Sequence, residues 1–277
     1  MAIEIAHDVG PAHLEIAYER LGDPHAPPVL LIMGLGSQLI GWPDDLCAEL
    51  VARGLQVIRF DNRDVGASSH VTAPYTLSDM AGDAAGLLDA LGLASAHVVG
   101  ASLGGFVAQT LAIEHPHRVR SLTSIMSSTG ALSVGQPHPE ALALFGGPPA
   151  TTRAEVVQRM VDVFTVIGSP AYPIDRAAIA ERAGRAFDRS YDPAGLLRQG
   201  RAVLASSDRT PRLRELRIPT LVIHGTADPM VDVSGGRATA AAIPGAELVV
   251  IEGMGHDLPR ALWPELVRRI GELVQRA

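Results

Sequence analysis

"HVVGASLGGFVAQTLA", residues His97 to Ala112, begins as a run of apolar, partly β-branched residues and ends as an apolar helical pattern, with one serine at the junction. Gly100 stands two places before Ser102 and Gly104 two places after it, with Gly105 adjacent. In a sharp strand-to-helix turn the central residue is strained, and side chains two places away on either side collide, so both positions call for glycine. Such a turn lifts a hydroxyl clear of its own backbone. The helix that follows aims free N–H groups at the same place, so the Leu103 amide is positioned to donate to an oxyanion.

A serine hydroxyl is a weak nucleophile until a base removes its proton. A nucleophile elbow of this type predicts partners in the order serine, acid, histidine, each at the carboxyl end of a later strand. "TLVIH" is followed by "GTADPMV", which puts Asp228 in a loop, and "ELVVIE" is followed by "GMGHDLP", which puts His256 in the next. The loop after "SLTSIM" holds no carboxylate. Asp232 and Asp257 are rival acids. The first lies near the following helix, and the second adjoins the histidine, where its side chain is expected to diverge. After the early strand "VLLIM" come Gly34, Leu35 and Gly36, whose small size lets a backbone amide approach a substrate; by position, Leu35 is the second oxyanion donor.

The same alternation extends outward. "HLEIAY", "VLLIM", "QVIRF", "HVVGA", "SLTSIM", "TLVIH" and "ELVVIE" read as strands, most of them apolar throughout, as expected of a parallel sheet covered on both faces. Helices are predicted around Pro43–Arg53, Leu77–Leu91, Leu103–His115, Ser234–Ala242 and Arg260–Gln275. From about Gly130 to Leu216 no strand is expected, only helical stretches and the joints "GQPHP", "FGGPP" and "GSPAYP". There Val156, Met160, Phe164 and Ile167 share one helix face. Arg182, Arg185 and Arg189 mark another helix, expected to present them to solvent. An insertion of helices into a strand–helix rhythm suggests a cap over one edge of the sheet.

Composition closes off other chemistries. The 277 residues are 47% hydrophobic with a net charge of −7, and every one of the 23 basic residues is arginine. Without lysine there is no Schiff-base chemistry and no P-loop amine, and no polybasic run points to nucleic acid. Cys47 is the only cysteine, expected in a helix core, so no internal disulfide or thiolate metal cluster forms. The histidines show no metal-ligand spacing, and neither a metal nor a cofactor is expected. "MAIEIAHDVGP" lacks the pattern of a signal peptide, and the apolar runs are too short to span a bilayer; the expected location is the cytoplasm, without membrane contact. His224, at a strand end, reads as a core histidine with one satisfied nitrogen. Asp61 and Arg63 read as a buried ion pair or loop brace.

The glycine-rich loop, "FDNRDVGASS", "GASLGG", "HGTADPMV" and "GMGH" resemble, in order, the motifs of the α/β-hydrolase superfamily. "MGLGSQLIGWP" with "RFDNRDVGASS" is similar to bacterial carboxylesterases of the aclacinomycin methylesterase type. Met33 departs from the histidine that many relatives have there, and Asp64 from glycine. The resemblance implies an α/β-hydrolase fold: a mostly parallel sheet flanked by helices, with a core of residues 1–130 and 217–277 and a helical cap, 131–216, inserted after the sixth core strand. It implies a serine esterase acting on a small-molecule ester through Ser102, His256 and Asp228. Carbon–carbon hydrolases, lactonases and cofactor-free perhydrolases share the pattern, and a ligand receptor with vestigial turnover is the reading from another class. Serine at the elbow argues against epoxide hydrolases and haloalkane dehalogenases, which have aspartate there. Monomer and homo-oligomer both stay open.

Overall fold

A computed structural model describes residues 3–144, 146 and 148–277. The first two residues of "MAIEIAHDVGP", and Phe145 and Gly147 of "FGGPP", lie outside the described residues. Eight strands form one sheet: β1 (Glu4–Val9), β2 (Leu14–Leu21), β3 (Pro28–Ile32), β4 (Gln56–Phe60), β5 (Ala96–Ala101), β6 (Val119–Ile125), β7 (Thr220–Gly225) and β8 (Glu247–Ile251). Their order is β1-β2-β4-β3-β5-β6-β7-β8. β2 runs antiparallel to both its neighbours, and all pairs from β4 to β8 are parallel.

β1 is absent from the sequence expectation. Only Ala6 and Val9 of "EIAHDV" are buried, so this edge strand lacks both the apolar run and the strict alternation by which the others are legible. Its presence makes "SLTSI" the sixth strand. The remaining strands and the five predicted helices outside the insertion fall where expected, within a residue or so at most ends. The exceptions are β2, which runs on to Leu21, β6, which starts at Val119, and the C-terminal helix, which begins at Trp263 after a short 3₁₀ turn over Arg260–Leu262.

The continuous apolar runs are explained by packing on both faces. Leu30, Ile32, Ile58, Phe60 and Val98 point into one core layer with α2 (Leu77–Ala90) and α3 (Leu103–Glu114). Val29, Leu31, Val57 and Val99, one residue out of phase, point into the other with α1 (Asp44–Ala52) and α10 (Trp263–Gln275). A strand buried on both sides has no polar face to alternate with. Cys47 lies in that second layer, where burial pushes its thiol up to about 12.

Between β6 and β7 the described residues contain helices only: α4 (Pro139–Ala143), α5 (Arg153–Ile167), α6 (Arg176–Arg189), α7 (Pro193–Leu204) and α8 (Thr210–Leu213). Three of them start on side-chain caps. Thr152 and Glu155 form a reciprocal capping box on α5, and Asp175 and Asp192 accept from the first turns of α6 and α7. α9 (Ser234–Ala242) returns the chain to β8. No helix among the described residues is long and apolar enough to cross a membrane.

The arginines of α6 depart from the expected solvated face. Arg185 is exposed, but Arg189 makes a 2.8 Å ion pair with the fully buried Asp61, and Arg182 lies over the Phe164 ring. An unpaired carboxylate in the interior is costly, and the arginine of a packed neighbouring helix neutralises it. Asp61 and Arg63 each brace their loop, though not through one another. Arg63 makes a bidentate pair with Asp83 of α2, while Asp61 also accepts from the Leu39 and Ala67 N–H groups.

Candidate active site

Parallel strands deliver their carboxyl ends to one side of the sheet, so the loops after β5, β7 and β8 meet there. Ser102 occupies the turn from β5 into α3 at φ 56° and ψ −121°, a conformation that L-residues rarely adopt. The glycine requirement at this turn is visible as distances. A Cβ on Gly100 would stand 2.1 Å from the Gly104 carbonyl oxygen, and one on Gly104 would stand 2.0 Å from that of Ile32. The turn is thus packed backbone to backbone against its own helix and against β3. The Ser102 N–H donates to Ile125 O at 2.9 Å, which fastens the strained residue to β6.

His256 Nε2 lies 2.9 Å from Ser102 Oγ, and His256 Nδ1 lies 2.7 Å from Asp228 Oδ2. An ionised carboxylate only accepts, so Nδ1 carries the hydrogen and Nε2 is left to receive the serine proton. Asp228 is almost wholly buried, and its other oxygen accepts from the Met230 and Val231 N–H groups at 2.9 Å each. Burial by itself would raise this carboxyl. The facing His256, the nearby His224 ring and the local donors outweigh it and hold the group well below the usual carboxylate range.

The rival acids face elsewhere. Asp232 accepts from the Ser234 N–H at the start of α9. Asp257 takes the Ser169 hydroxyl, and burial raises its pKa despite that bond. His224 is fully buried and donates from Nε2 to Val231 O at 2.7 Å, while its Nδ1 has no partner among the described residues. It therefore has one satisfied nitrogen, as expected. It also stands 3.4 Å from Asp228 Oδ2, directly behind the acid, a contact latent in the four-residue spacing of "HGTAD".

Leu35 follows Gly34, which lies against the serine: a Cβ on Gly34 would be 3.2 Å from Ser102 Cβ. Among the described residues, neither the Leu35 nor the Leu103 N–H donates to a protein acceptor. Two amides without a protein acceptor thus stand after β3 and at the start of α3. Met33 is buried in the core and its carbonyl accepts from Asn62 Nδ2, so the side chain at this position does not enter the site.

Three contributors come from the insertion and have no signal in the local sequence. The His256 N–H donates to Ile167 O at 2.6 Å, the Gly255 N–H donates to Ser169 Oγ at 2.8 Å, and Gln199 bonds to the loop at Gly36. A cluster of Asp64, His70 and Asp192 also comes together, with groups of the kind that bind metals. Arg198 of α7 donates to Asp64 twice at 2.9 Å and to Asp192 at 2.8 Å, so a guanidinium already supplies the positive charge there.

Comparison with known proteins agrees with this fold. The family model described as "alpha/beta hydrolase fold" matches residues 27–259. The rhodomycin D methylesterase DnrP of Streptomyces peucetius is 34% identical over 276 residues, covering 91% of this chain and 92% of that protein. The 2-hydroxy-6-oxononadienedioate/2-hydroxy-6-oxononatrienedioate hydrolase 2 of Pseudomonas putida is 28% identical, covering 89% and 87%. Among solved structures, the enol-lactonase of Burkholderia xenovorans superposes with a TM-score of 0.79 at 26% identity, covering 96% of this chain and 98% of that one. With a family match over most of its length, and a relative aligned across nine-tenths of both chains, this protein belongs to the alpha/beta hydrolase family.

Proposed function

We propose that the protein is a serine esterase that cleaves a small-molecule carboxylic ester through an acyl-serine intermediate. The observation that carries this is the unbroken hydrogen-bonded chain from Ser102 Oγ through both ring nitrogens of His256 to Asp228. In the proposed sequence His256 Nε2 takes the proton as Ser102 Oγ attacks the ester carbonyl, and the Leu103 and Leu35 amides hold the oxyanion of the tetrahedral intermediate. The imidazolium returns its proton to the departing alkoxide, leaving the acyl group on Ser102. Water then attacks by the same route, and the acid product leaves. Asp228 holds the ring in the productive tautomer and stabilises its charged form.

The methylesterase relatives support a methyl ester as the substrate class. In this proposal residues 131–216 act as a cap over the serine and shape the pocket, residues 1–130 and 217–277 form the catalytic core, and the enzyme works in the cytoplasm. The test is turnover of p-nitrophenyl esters from acetate to palmitate, and of aromatic methyl esters, by wild type and Ser102→Ala. Hydrolysis that disappears in a folded Ser102→Ala protein is expected. Turnover that survives the substitution would refute the assignment.

A further inference from the structure

Gln199 is fully buried in α7, a place where a primary amide is tolerated only when its polar atoms are paired. Both ends are. Its Oε1 accepts from the Gly36 N–H at 2.8 Å, and its Nε2 donates to the Arg63 carbonyl at 2.8 Å. Gly36 belongs to the turn Gly34-Leu35-Gly36-Ser37, closed by the Ser37 N–H donating to Gly34 O at 3.1 Å. Its φ of +67° is what the third position of a type II turn requires. The central peptide of such a turn, Leu35–Gly36, has no bond within the turn itself. It is held from outside, by Gln199, and α7 also packs Leu196 onto the same glycine: a Cβ there would lie 2.6 Å from Leu196 Cδ1.

We infer that Gln199 is a positioning residue for the reaction: it locks the Leu35–Gly36 peptide, and through it sets the direction of the Leu35 amide toward the developing oxyanion. This rests on the assignment of Leu35 as an oxyanion donor. A donor that must be aimed at a charge present only in the transition state contributes most when it needs no reorganisation at that moment. The helical insertion thus reaches into the chemistry through a buried amide, in addition to covering the serine.

The test compares wild type, Gln199→Met and Arg198→Met in steady-state hydrolysis of p-nitrophenyl butyrate. It adds inhibition by an alkyl trifluoromethyl ketone, whose carbonyl carbon bonds reversibly to Ser102 Oγ and whose oxygen becomes the hemiketal oxyanion. In Gln199→Met, kcat is expected to fall on the order of 10-fold to 100-fold with KM within about 3-fold. The ketone should lose affinity in parallel with kcat/KM. Arg198→Met loosens the same helix one residue away without touching Gly36, and its ketone affinity should stay at the wild-type value. Equal ketone affinity in wild type and Gln199→Met would overturn the inference, as would an equal loss in both variants. Should Gln199→Met fail to fold, Gln199→Asn, one methylene shorter, is read in the same way. Ser102→Ala separates the two levels: residual turnover there overturns the esterase assignment, whereas a dead Ser102→Ala with an unaffected Gln199 variant overturns only this inference.

Discussion

The backbone N–H of His256 donates to the Ile167 carbonyl across 2.6 Å, which ties the loop bearing the imidazole to the last turn of α5. Alongside it the Ser169 hydroxyl accepts from the Gly255 N–H and donates to Asp257. The histidine loop therefore takes its position from the insertion as much as from β8.

Ser169→Ala removes the hydroxyl and leaves a buried amide and a half-buried carboxyl without that partner. A loss of about 1–2 kcal/mol in stability is expected, together with a several-fold lower kcat as the imidazole gains freedom. Urea unfolding and p-nitrophenyl butyrate kinetics on the same preparation check it. A variant with the wild-type midpoint would show that the bond contributes nothing.

Asp228→Asn keeps an oxygen for the Met230 and Val231 N–H groups, so the fold should persist. The charge that orients and stabilises His256 is lost, and kcat should drop by roughly 10³–10⁴, as it does when the acid of a serine triad is neutralised. Circular dichroism on the variant, with active-site titration against wild type, separates this from unfolding. A loss below tenfold would mean another group fills the role.

Gly104→Ala places a methyl where only 2.0 Å separates it from the Ile32 carbonyl oxygen, with backbone on both sides and no flexible side chain to yield. Either the turn or β3 must move, and destabilisation of about 3 kcal/mol or more is expected. Soluble yield and thermal midpoint report it. Wild-type stability in this variant would contradict the close approach.

Acid sensitivity should come in part from His97, which is buried in β5 with Nδ1 2.8 Å from Ser121 Oγ. Burial, assisted by the charge of Arg120, lowers its pKa to about 4 from the ordinary 6.5. The folded state thus keeps the ring neutral while the unfolded chain protonates it. Its contribution is complete above about pH 6.5 and is lost as the pH falls toward 4, up to about 3 kcal/mol. His97→Asn should flatten the stability profile between these values. An unchanged slope in pH-dependent urea unfolding would exclude His97 as the source.

The reach of sequence reasoning follows the range of the forces involved. Ser102 with Gly100 and Gly104 is legible because the elbow is a matter of local sterics within five residues, and Asp228 and His256 because parallel topology brings successive loops to one edge. β1 is not legible, since an exposed edge strand needs few apolar residues. Nor are the partners of charged groups: Asp61 pairs with Arg189 and Arg63 with Asp83, across 128 and 20 residues of chain.

From its order of residues alone this chain specifies a strand–helix alternation, one strained serine turn and two loops that can answer it, because each depends on neighbours a few positions away. Folding in three dimensions decides what surrounds them: Ser169 and Ile167 on the histidine loop, Gln199 under the Leu35–Gly36 peptide, arginines of α6 and α7 on buried carboxylates. Those choices are made by desolvation, since a polar group taken from water must pair with whichever donor or acceptor the packing of distant helices brings within reach.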